Sequence, residues 1–214
     1  MMDRFAEKLS TAIGNGLPGT EVQWQMASSD RLVKNFPRVP REDSSEAGVL
    51  ILLYPICGTV WTVFIQRPDY EGVHGGQISF PGGKREKKDA DLTGTALREA
   101  AEEIAVEPDE IRIIGTLTPL FIPVSNIVVT PVVGWTWKQP RFRPDPAEVQ
   151  FVIESDILSF LGGSAVKTRP WKIAGETLNI RYFDFKGHVI WGATAMILHE
   201  LLEIIRRDGL SLQV

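Results

Sequence analysis

The chain has 214 residues, of which 43% are hydrophobic and 23% are charged. These ordinary globular values exclude a wholly disordered chain and a low-complexity fibre. Lys and Arg number 23 and Asp and Glu number 27, so the formal net charge is −4. This mild acidity speaks against nucleic acid as a partner, because phosphate binding usually shows as a basic excess. Small phosphorylated ligands stay open, since a divalent metal can neutralise their phosphates.

The lone cysteine and the first residues bear on the cellular setting. Cys57 lies in an apolar stretch and has no second cysteine to pair with, so a buried thiol and a reducing, cytoplasmic location are expected. The charged N-terminus lacks the apolar core of a signal peptide. Residues 47–65 carry no charge, but Pro55 and Gly58 interrupt them. Two buried strands are therefore favoured over a helix in lipid.

The first half of the chain predicts one helix, a long irregular stretch and then the start of a sheet. Residues 3–13 have the periodicity of a short amphipathic helix. Residues 14–46 are rich in Pro, Asp and Ser, a composition typical of loops. Four elements are predicted next, namely strands over 49–53, 60–65 and 77–80 and a helix over 92–106.

The second half predicts further strands and a closing helix. Strands are expected over 111–118, 127–137 and 180–185, a strand or helical turn over 148–153, a short helix over 156–161 and a long helix over 190–207. This order predicts an α/β (α+β) domain with a mixed sheet covered by helices. The length fits one domain, divided here into a helix-and-loop extension over 1–46 and a main domain over 47–214.

Three glutamates share one face of the strongest predicted helix. At roughly 100° per residue, Glu99, Glu102 and Glu103 fall at about 0°, 300° and 40°, and the opposite face is apolar. An acidic stripe is most often a solvated surface. However, like charges at these spacings repel, and a hard cation such as Mg²⁺ offsets the repulsion. Gly82 and Gly83, which follow a predicted strand, let the backbone approach a ligand and favour a site.

The sequence from Gly83 onward resembles the Nudix box, Gly-x5-Glu-x7-Arg-Glu-U-x-Glu-Glu-x-Gly-U, in which U is aliphatic. The Arg-Glu-U-x-Glu-Glu half, which begins at Arg98, is intact. The spacing between Gly83 and Arg98 is one residue longer than in the box, Ala90 stands where Glu is expected, and Ala105 replaces the late Gly. The candidates for the missing acid are Glu86, Asp89 and Asp91.

A second motif lies upstream and resembles the coenzyme A-type Nudix pyrophosphatases. Those enzymes carry Leu-Leu-Thr-x-Arg-Ser-x3-Arg-x3-Gly-x3-Phe-Pro-Gly-Gly. This chain has Arg67, Gly76 and the Phe-Pro-Gly-Gly run ending at Gly83 with identical spacing, whereas Gly72 replaces the second Arg. The similarity extends over residues 47–205. It implies a Nudix-type α/β/α sandwich with a mixed β-sheet.

The resemblance implies metal-dependent hydrolysis of a pyrophosphate that links a nucleoside to another group. The first expectation is coenzyme A or acyl-coenzyme A, cleaved to 3′,5′-ADP and (acyl-)4′-phosphopantetheine. Alternatives are NADH, ADP-ribose or a diadenosine polyphosphate, and outside the enzymes a non-catalytic nucleotide-binding regulator. No nucleic acid or membrane partner is expected, and the family admits a homodimer. Trp135, Trp137 and Trp171 are candidates for stacking on adenine.

The resemblance also implies roles for individual residues. Glu148 has an alternative interpretation as a solvated loop acid, and Arg67 as part of a surface ion pair. The implied assignments are Glu99, Glu102 and Glu103 as ligands of Mg²⁺ or Mn²⁺, Glu102 or Glu148 as the general base, Arg98 as the residue that orients the box through a carboxylate, and Arg67, Gly82 and Gly83 as substrate-binding residues.

Overall fold

The computed structural model describes residues 2–28, 37–69, 75–173 and 175–214. No helix within these ranges is long and apolar enough to cross a membrane. The helices are α1 (Met2–Gly14), α2 (Thr20–Trp24), α3 (Leu92–Ile104), α4 (Leu158–Leu161) and α5 (Gly192–Arg207), with a 3-10 turn at Pro108–Glu110. The strands are β1 (Ser45–Ile56), β2 (Thr59–Gln66), β3 (Ile78–Ser79), β4 (Gly82–Lys84), β5 (Arg112–Thr116), β6 (Leu120–Ile122), β7 (Ile127–Trp135), β8 (Phe151–Asp156), β9 (Val166–Ile173), β10 (Glu176–Phe185) and β11 (His188–Trp191).

Two sheets form the framework. Counted over the described residues, the larger sheet has eight strands, and β1 at its centre pairs in parallel with β7 and antiparallel with β2 and β4. Strand β2 also pairs with β3 and β8, and β7 pairs with β5 and β6. Strands β9, β10 and β11 form a separate antiparallel sheet. The larger sheet is therefore mixed, as the sequence predicts.

Strand β1 separates two apolar layers because successive side chains of a strand point to opposite faces. Leu50 and Leu52 pack in a cluster with the apolar face of α3. Ile51 and Leu53 pack in a second cluster with residues of α1 and α5. The sheet thus lies between helical layers, and the predicted α/β/α architecture is confirmed.

The turn between β1 and β2 is tighter than the sequence predicts. Cys57 and Gly58 alone connect the strands, with φ values of 48° and 79°. Two consecutive residues with positive φ are typical of a type I′ hairpin turn, whose twist matches that of the strands. The strands consequently extend to Ile56 and from Thr59. The prediction of a buried Cys57 thiol is wrong, because the turn exposes it.

The other differences concern short elements. The sequence predicted no strand over 166–173 or 120–122, which are β9 and β6. Helix α5 begins at Gly192 because the two residues before it pair in β11. The strand or helical turn predicted over 148–153 is a strand from Phe151 to Asp156, and Glu148 lies in the turn before it.

The N-terminal segment contacts the larger sheet and α5. Its Phe5 ring lies 5.6 Å from the Trp135 ring, between centroids. The Ser10 hydroxyl donates a hydrogen bond of 3.0 Å to the Ile114 carbonyl. These contacts accord with an extension that covers the sheet, although β1 already begins at Ser45. The division into 1–46 and 47–214 stays a prediction.

Candidate active site

Two glycines allow β4 to run between β1 and α3. A methyl group at Gly83 would come within 2.7 Å of Glu99 Oε1 and closer still to Oε2. At Gly82, where φ is 149°, a methyl group would overlap the Gly48 carbonyl and come within 2.6 Å of Val49 Cα. A side chain at either position would therefore displace its neighbours, and only glycine fits both.

Helix α3 is fixed on its apolar side, and this fixes the direction of its glutamates. Ala96, Ala100 and Ile104 are fully buried against β1. At its start, Asp91 Oδ1 accepts a hydrogen bond of 2.8 Å from Gly94 N, which caps the helix. At its end, Ala105 adopts the left-handed conformation with φ 54° and ψ 40°. Ala105 holds the late-Gly position of the box, where positive φ favours glycine.

Arg98 connects several carboxylates. Its Nη1 donates to Glu99 Oε1 at 2.8 Å and to Glu102 Oε2 at 2.9 Å. Its Nε and Nη2 donate to the two oxygens of Asp89 at 2.8 and 2.9 Å. The hydrogen bonds that Arg98 donates hold the pKa of Asp89 well below its usual range, and the same bonds raise the pKa of Arg98. Of the three candidates for the missing acid, Asp89 makes the two-bond contact, whereas Glu86 is 3.7 Å from Arg98.

Glu103 is the most buried carboxylate of the site, with 1% of its side chain exposed. Its Oε2 accepts a hydrogen bond of 2.8 Å from Gly82 N, and its Oε1 lies 3.5 Å from Arg67 Nη2. Burial raises the pKa of Glu103 to about 7, and the negative charges of Glu99 and Glu148 act in the same direction. Arg67 and Gly82 N–H oppose this rise without cancelling it.

Glu99 and Glu148 reach the site from different elements. Burial raises the pKa of Glu99, and the charges of Glu102 and Glu148 raise it further against the opposing contribution of Arg98. Glu148 is exposed and lies on a turn in which its N–H donates to the Asp145 carbonyl at 3.1 Å. Asp145 N–H in turn donates to the Glu103 carbonyl at 2.9 Å, which holds this turn against the end of α3.

A cavity of about 500 Å³ collects most of the predicted site residues. Glu102 and Arg98 are absent from the lining formed by the described residues, and 52% of the Glu102 side chain is exposed. Gly72 lies outside the described residues. The predicted residues that line the cavity are Arg67, Gly82, Gly83, Glu99, Glu103 and Glu148.

The structure also revises the aromatic candidates for stacking on adenine. Trp135 is wrong as a candidate, because its side chain is fully buried in the core. Trp137 lines a different cavity of about 380 Å³ beside Asp109. Trp171 does not line the main cavity, but its ring lies 5.4 Å from that of Trp191, which does. Trp191 stands in the run from Ile190 to Thr194, which resembles the coenzyme A-type subfamily, but the sequence predicts no role for it at the site, because only the folded chain brings β11 there.

The donor chemistry of the cavity fits a hard divalent cation. Glu99, Glu103 and Glu148 supply only oxygen donors, which Mg²⁺ and Mn²⁺ prefer. Burial raises the pKa values of Glu99 and Glu103, neighbouring carboxylates add to the rise, and a cation would favour the charged form of both groups. Within the described part of the chain, no three His, Cys, Asp or Glu side chains stand close enough together to form a complete metal site.

Comparison with known proteins identifies the family. The NUDIX domain model matches residues 45–161. The chain is 36% identical over 160 residues to Nudix hydrolase 22, chloroplastic, of Arabidopsis thaliana, covering 72% of this chain and 53% of that protein. It is 35% identical over 167 residues to a protein described as uncharacterized Nudix hydrolase NudL of Pectobacterium atrosepticum. This match covers 76% of this chain and 83% of that protein. The chain belongs to the Nudix hydrolase family, although it spans only about half the length of the plant relative.

The Ap4A hydrolase of C. elegans, solved as a binary complex, aligns with a TM-score of 0.47 and 16% sequence identity. The alignment covers 55% of this chain and 83% of that protein.

Proposed function

We propose that this chain hydrolyses a pyrophosphate bond between a nucleoside phosphate and a second group, with a divalent metal as cofactor. The observation that carries this proposal is the convergence of Glu99, Glu103 and Glu148 on one cavity beside Arg67. Three carboxylates on a cavity wall repel an anionic ligand by themselves. With a cation they form the combination that phosphate chemistry requires.

Coenzyme A or an acyl-coenzyme A is the proposed substrate. The support is the run from Arg67 to Gly83, which matches the coenzyme A-type motif except at Pro68 and Gly72. The relatives' names specify no substrate of this kind. NADH, ADP-ribose and diadenosine polyphosphates remain the alternatives. A non-catalytic nucleotide-binding regulator is the alternative from another class, and the acidic cluster speaks against it because binding alone would not need it.

The α3 glutamates are the proposed metal ligands. Glu99 and Glu103 line the cavity, and Glu102 lies one turn along the same helix face, held by Arg98. A bound Mg²⁺ or Mn²⁺ would neutralise phosphate oxygens and lower the pKa of a water molecule. Arg98, whose remaining hydrogen bonds go to Asp89 and the Lys84 carbonyl, positions Glu99 and Glu102 rather than touching the substrate.

Glu148 is the proposed general base. It is exposed on the cavity wall with its carboxylate outside the Arg98 network, so it is free to accept a proton from the attacking water. Glu102 is the alternative, but its carboxylate is bonded to Arg98 at 2.9 Å. Arg67 Nη2, which donates to the Gly82 carbonyl at 3.0 Å, is positioned to neutralise a substrate phosphate beside Gly82 and Gly83.

The test is a substrate panel with purified protein and Mg²⁺ or Mn²⁺, comprising coenzyme A, acetyl-coenzyme A, NADH, ADP-ribose and diadenosine polyphosphates. Release of 3′,5′-ADP from coenzyme A, abolished in Glu103→Gln, would support chemistry and substrate together. A loss in kcat of roughly 100-fold or more in Glu148→Gln, with little change in Glu102→Gln, would support Glu148 as the base. Glu203→Gln, at a partly exposed position of α5 outside the cavity lining, is the control. Absence of turnover with either metal would overturn the proposal in favour of the regulator.

Three further proposals concern the molecule as a whole. A homodimer, the division of the chain at residue 46 and a cytoplasmic location rest on the sequence and family resemblance alone. One relative is described as chloroplastic, so location varies among similar proteins. Light scattering of the purified protein would decide between monomer and dimer.

A further inference from the structure

The remaining lining of the main cavity is mainly apolar and comes in part from outside the matched family segment. Leu178 on β10, Trp191 on β11 and Ile197 on α5 all lie after residue 161, where the NUDIX match ends. Ile122 at the end of β6 and Val124 in the connection to β7 join them. We refer to these five residues as the apolar wall. Because this wall and the carboxylates line one cavity, a single ligand can contact both.

Val124 shows that the apolar wall reaches the surface. Its side chain is 57% exposed, which makes it one of the most exposed large hydrophobic residues described. An exposed valine at the rim of a cavity gains burial when a ligand covers it. Trp191 is supported from behind, since its ring contacts Trp171 and the Arg169 guanidinium lies 4.3 Å from the centre of the Trp171 ring. The Trp191 side chain in the wall is therefore held in place by its neighbours.

Two hydroxyl groups on the cavity lining lack partners. Ser79 and Ser125 both line the cavity, and among the described residues neither buried Oγ atom has a hydrogen-bond partner. A buried hydroxyl without a partner costs free energy, and rotation of each serine side chain toward the cavity would let a hydrogen bond to a ligand recover it. The cavity thus offers apolar contact together with a small number of polar positions.

We propose that the apolar wall, with Ser79 and Ser125, binds an elongated and mainly apolar arm of the substrate that carries a few hydrogen-bonding groups. This inference rests on the proposed function, because the pyrophosphate would lie at the carboxylates while the arm extends along the wall. The volume of about 500 Å³ is within the usual range of ligand cavities. An acylated pantetheine has this chemistry, with amide groups spaced along an apolar chain. Substrate preference then follows in part from residues beyond the matched segment, namely Leu178, Trp191 and Ile197.

Binding of the arm alone provides the first test, since it does not depend on hydrolysis. Octanoyl-pantetheine, which has no pyrophosphate, would be titrated calorimetrically into the full chain. We expect measurable binding that weakens at least tenfold in the Val124→Asn/Leu178→Asn double variant. The single Val124→Asn variant, at an exposed position, serves if the double variant does not fold. Val39→Asn is the matched control, because Val39 is 73% exposed and lies outside the cavity lining. The Val→Asn and Leu→Asn substitutions introduce no charge, so they do not change the electrostatic repulsion between the protein and the phosphates of a substrate.

Hydrolysis of coenzyme A, hexanoyl-coenzyme A and decanoyl-coenzyme A separates the two proposals. We expect kcat/KM to rise with chain length in the unaltered protein and in Val39→Asn, and to lose this dependence in Val124→Asn. Equal kcat/KM for all three compounds, or no binding of octanoyl-pantetheine, would overturn the apolar-arm inference and leave the coenzyme A proposal intact. Binding of octanoyl-pantetheine without hydrolysis of any coenzyme A compound would overturn the coenzyme A proposal and leave the apolar-arm inference standing.

Discussion

Asp89 and Arg98 are joined by two parallel hydrogen bonds, from Nε to Oδ1 and from Nη2 to Oδ2. Asp89 Oδ2 also accepts bonds of 2.9 Å from Glu86 N and Thr95 Oγ1, and only 4% of its side chain is exposed. This fork fixes the guanidinium plane, so that Nη1 is directed at the α3 glutamates. The spacing between Gly83 and Arg98, which is one residue longer than in the box, is thus accommodated, because Asp89 lies in the loop between β4 and α3, where an extra residue does not disturb a helix or a strand.

Replacing this aspartate is the first prediction. In Asp89→Asn the second oxygen becomes an amide donor that faces Arg98, so the guanidinium loses its fixed direction and the metal ligands lose their orientation. We expect kcat/KM to fall roughly 10- to 100-fold, the usual effect of losing a residue that orients metal ligands. Steady-state kinetics across a Mn²⁺ titration would measure it. Asp91→Asn is the control, because Asn caps a helix as well as Asp does. A larger loss in Asp91→Asn than in Asp89→Asn would contradict this assignment.

Gly83→Ala should separate activity from stability. The added methyl group would overlap the Glu99 carboxylate, which is the flexible end of a side chain and can move away at little cost. We expect Tm to change by less than about 3 °C, while the displaced ligand lowers kcat/KM roughly 100-fold. Thermal unfolding and kinetics on the same preparation would test this. Gly162→Ala, where a methyl group meets nothing within 4 Å, should leave the kinetics unchanged. Full activity in Gly83→Ala would contradict the assignment of Glu99 as a metal ligand.

The left-handed residue that ends α3 gives a prediction of increased stability. Ala105 is exposed, its φ is 54°, and its N–H donates to the Ala101 carbonyl at 3.0 Å. Ala105→Gly keeps that bond and removes the steric cost of the left-handed region, so we expect a gain of about 1 kcal/mol, or about 2–4 °C in Tm. Ala101→Gly, inside the helix, should instead destabilise by about 1 kcal/mol. Denaturant unfolding would compare both variants, and a loss in Ala105→Gly would contradict the observed backbone conformation.

The pKa of Glu103 predicts how stability depends on pH in the metal-free protein. Because burial raises this pKa from its ordinary value to about 7, the folded state binds the proton more tightly than the unfolded state. The resulting contribution to stability is complete below about pH 4.5 and is lost as pH rises through 7. Its upper limit is about 3 kcal/mol. Urea unfolding in the presence of a chelator would give the free energy of unfolding at pH 5 and at pH 8. We expect this free energy to decrease less between the two pH values in Glu103→Gln than in the unaltered protein, and to decrease in Glu203→Gln as it does in the unaltered protein. Identical decreases in all three proteins would contradict the burial of an ionisable Glu103.

The parts of the fold that the sequence predicts are those encoded by local periodicity. The apolar runs of β1 and β2 and the face of α3 are regular, and the box supplied the glutamates of the site. Strand β9 was missed because Lys167, Arg169, Pro170 and Lys172 break its alternation and lie at an exposed edge. The apolar wall was not predicted either, because its residues meet at the cavity only when the second sheet packs beside β3. Specificity residues contributed by distant segments leave no spacing in the sequence to detect.

Glu200 links the N-terminal segment to the rest of the molecule. Its side chain is fully buried on α5, yet no Lys or Arg side chain neutralises it among the described residues. It accepts hydrogen bonds from Gly19 N at 3.1 Å, Gln23 Nε2 at 2.8 Å and both the N–H and hydroxyl of Thr118. A buried carboxylate in water-free surroundings is costly unless several donors meet it, as they do here.

Removal of this carboxylate is therefore expected to loosen the N-terminal segment. Glu200→Ala leaves donors of α2 and of the segment before β6 buried without a partner, and we expect a loss of about 3 kcal/mol in the free energy of unfolding. Glu200→Gln keeps the shape but introduces an amide donor among donors, so an intermediate loss is expected. Glu203→Ala, one turn along α5 and partly exposed, should cost under about 0.5 kcal/mol. Hydrogen exchange would locate the effect, because amides in α1 and α2 should exchange faster in Glu200→Ala while those in α3 stay protected. If the amides of α1 and α2 exchange no faster in Glu200→Ala than in the unaltered protein, the N-terminal segment is held by its apolar contacts alone, such as that of Phe5 with Trp135.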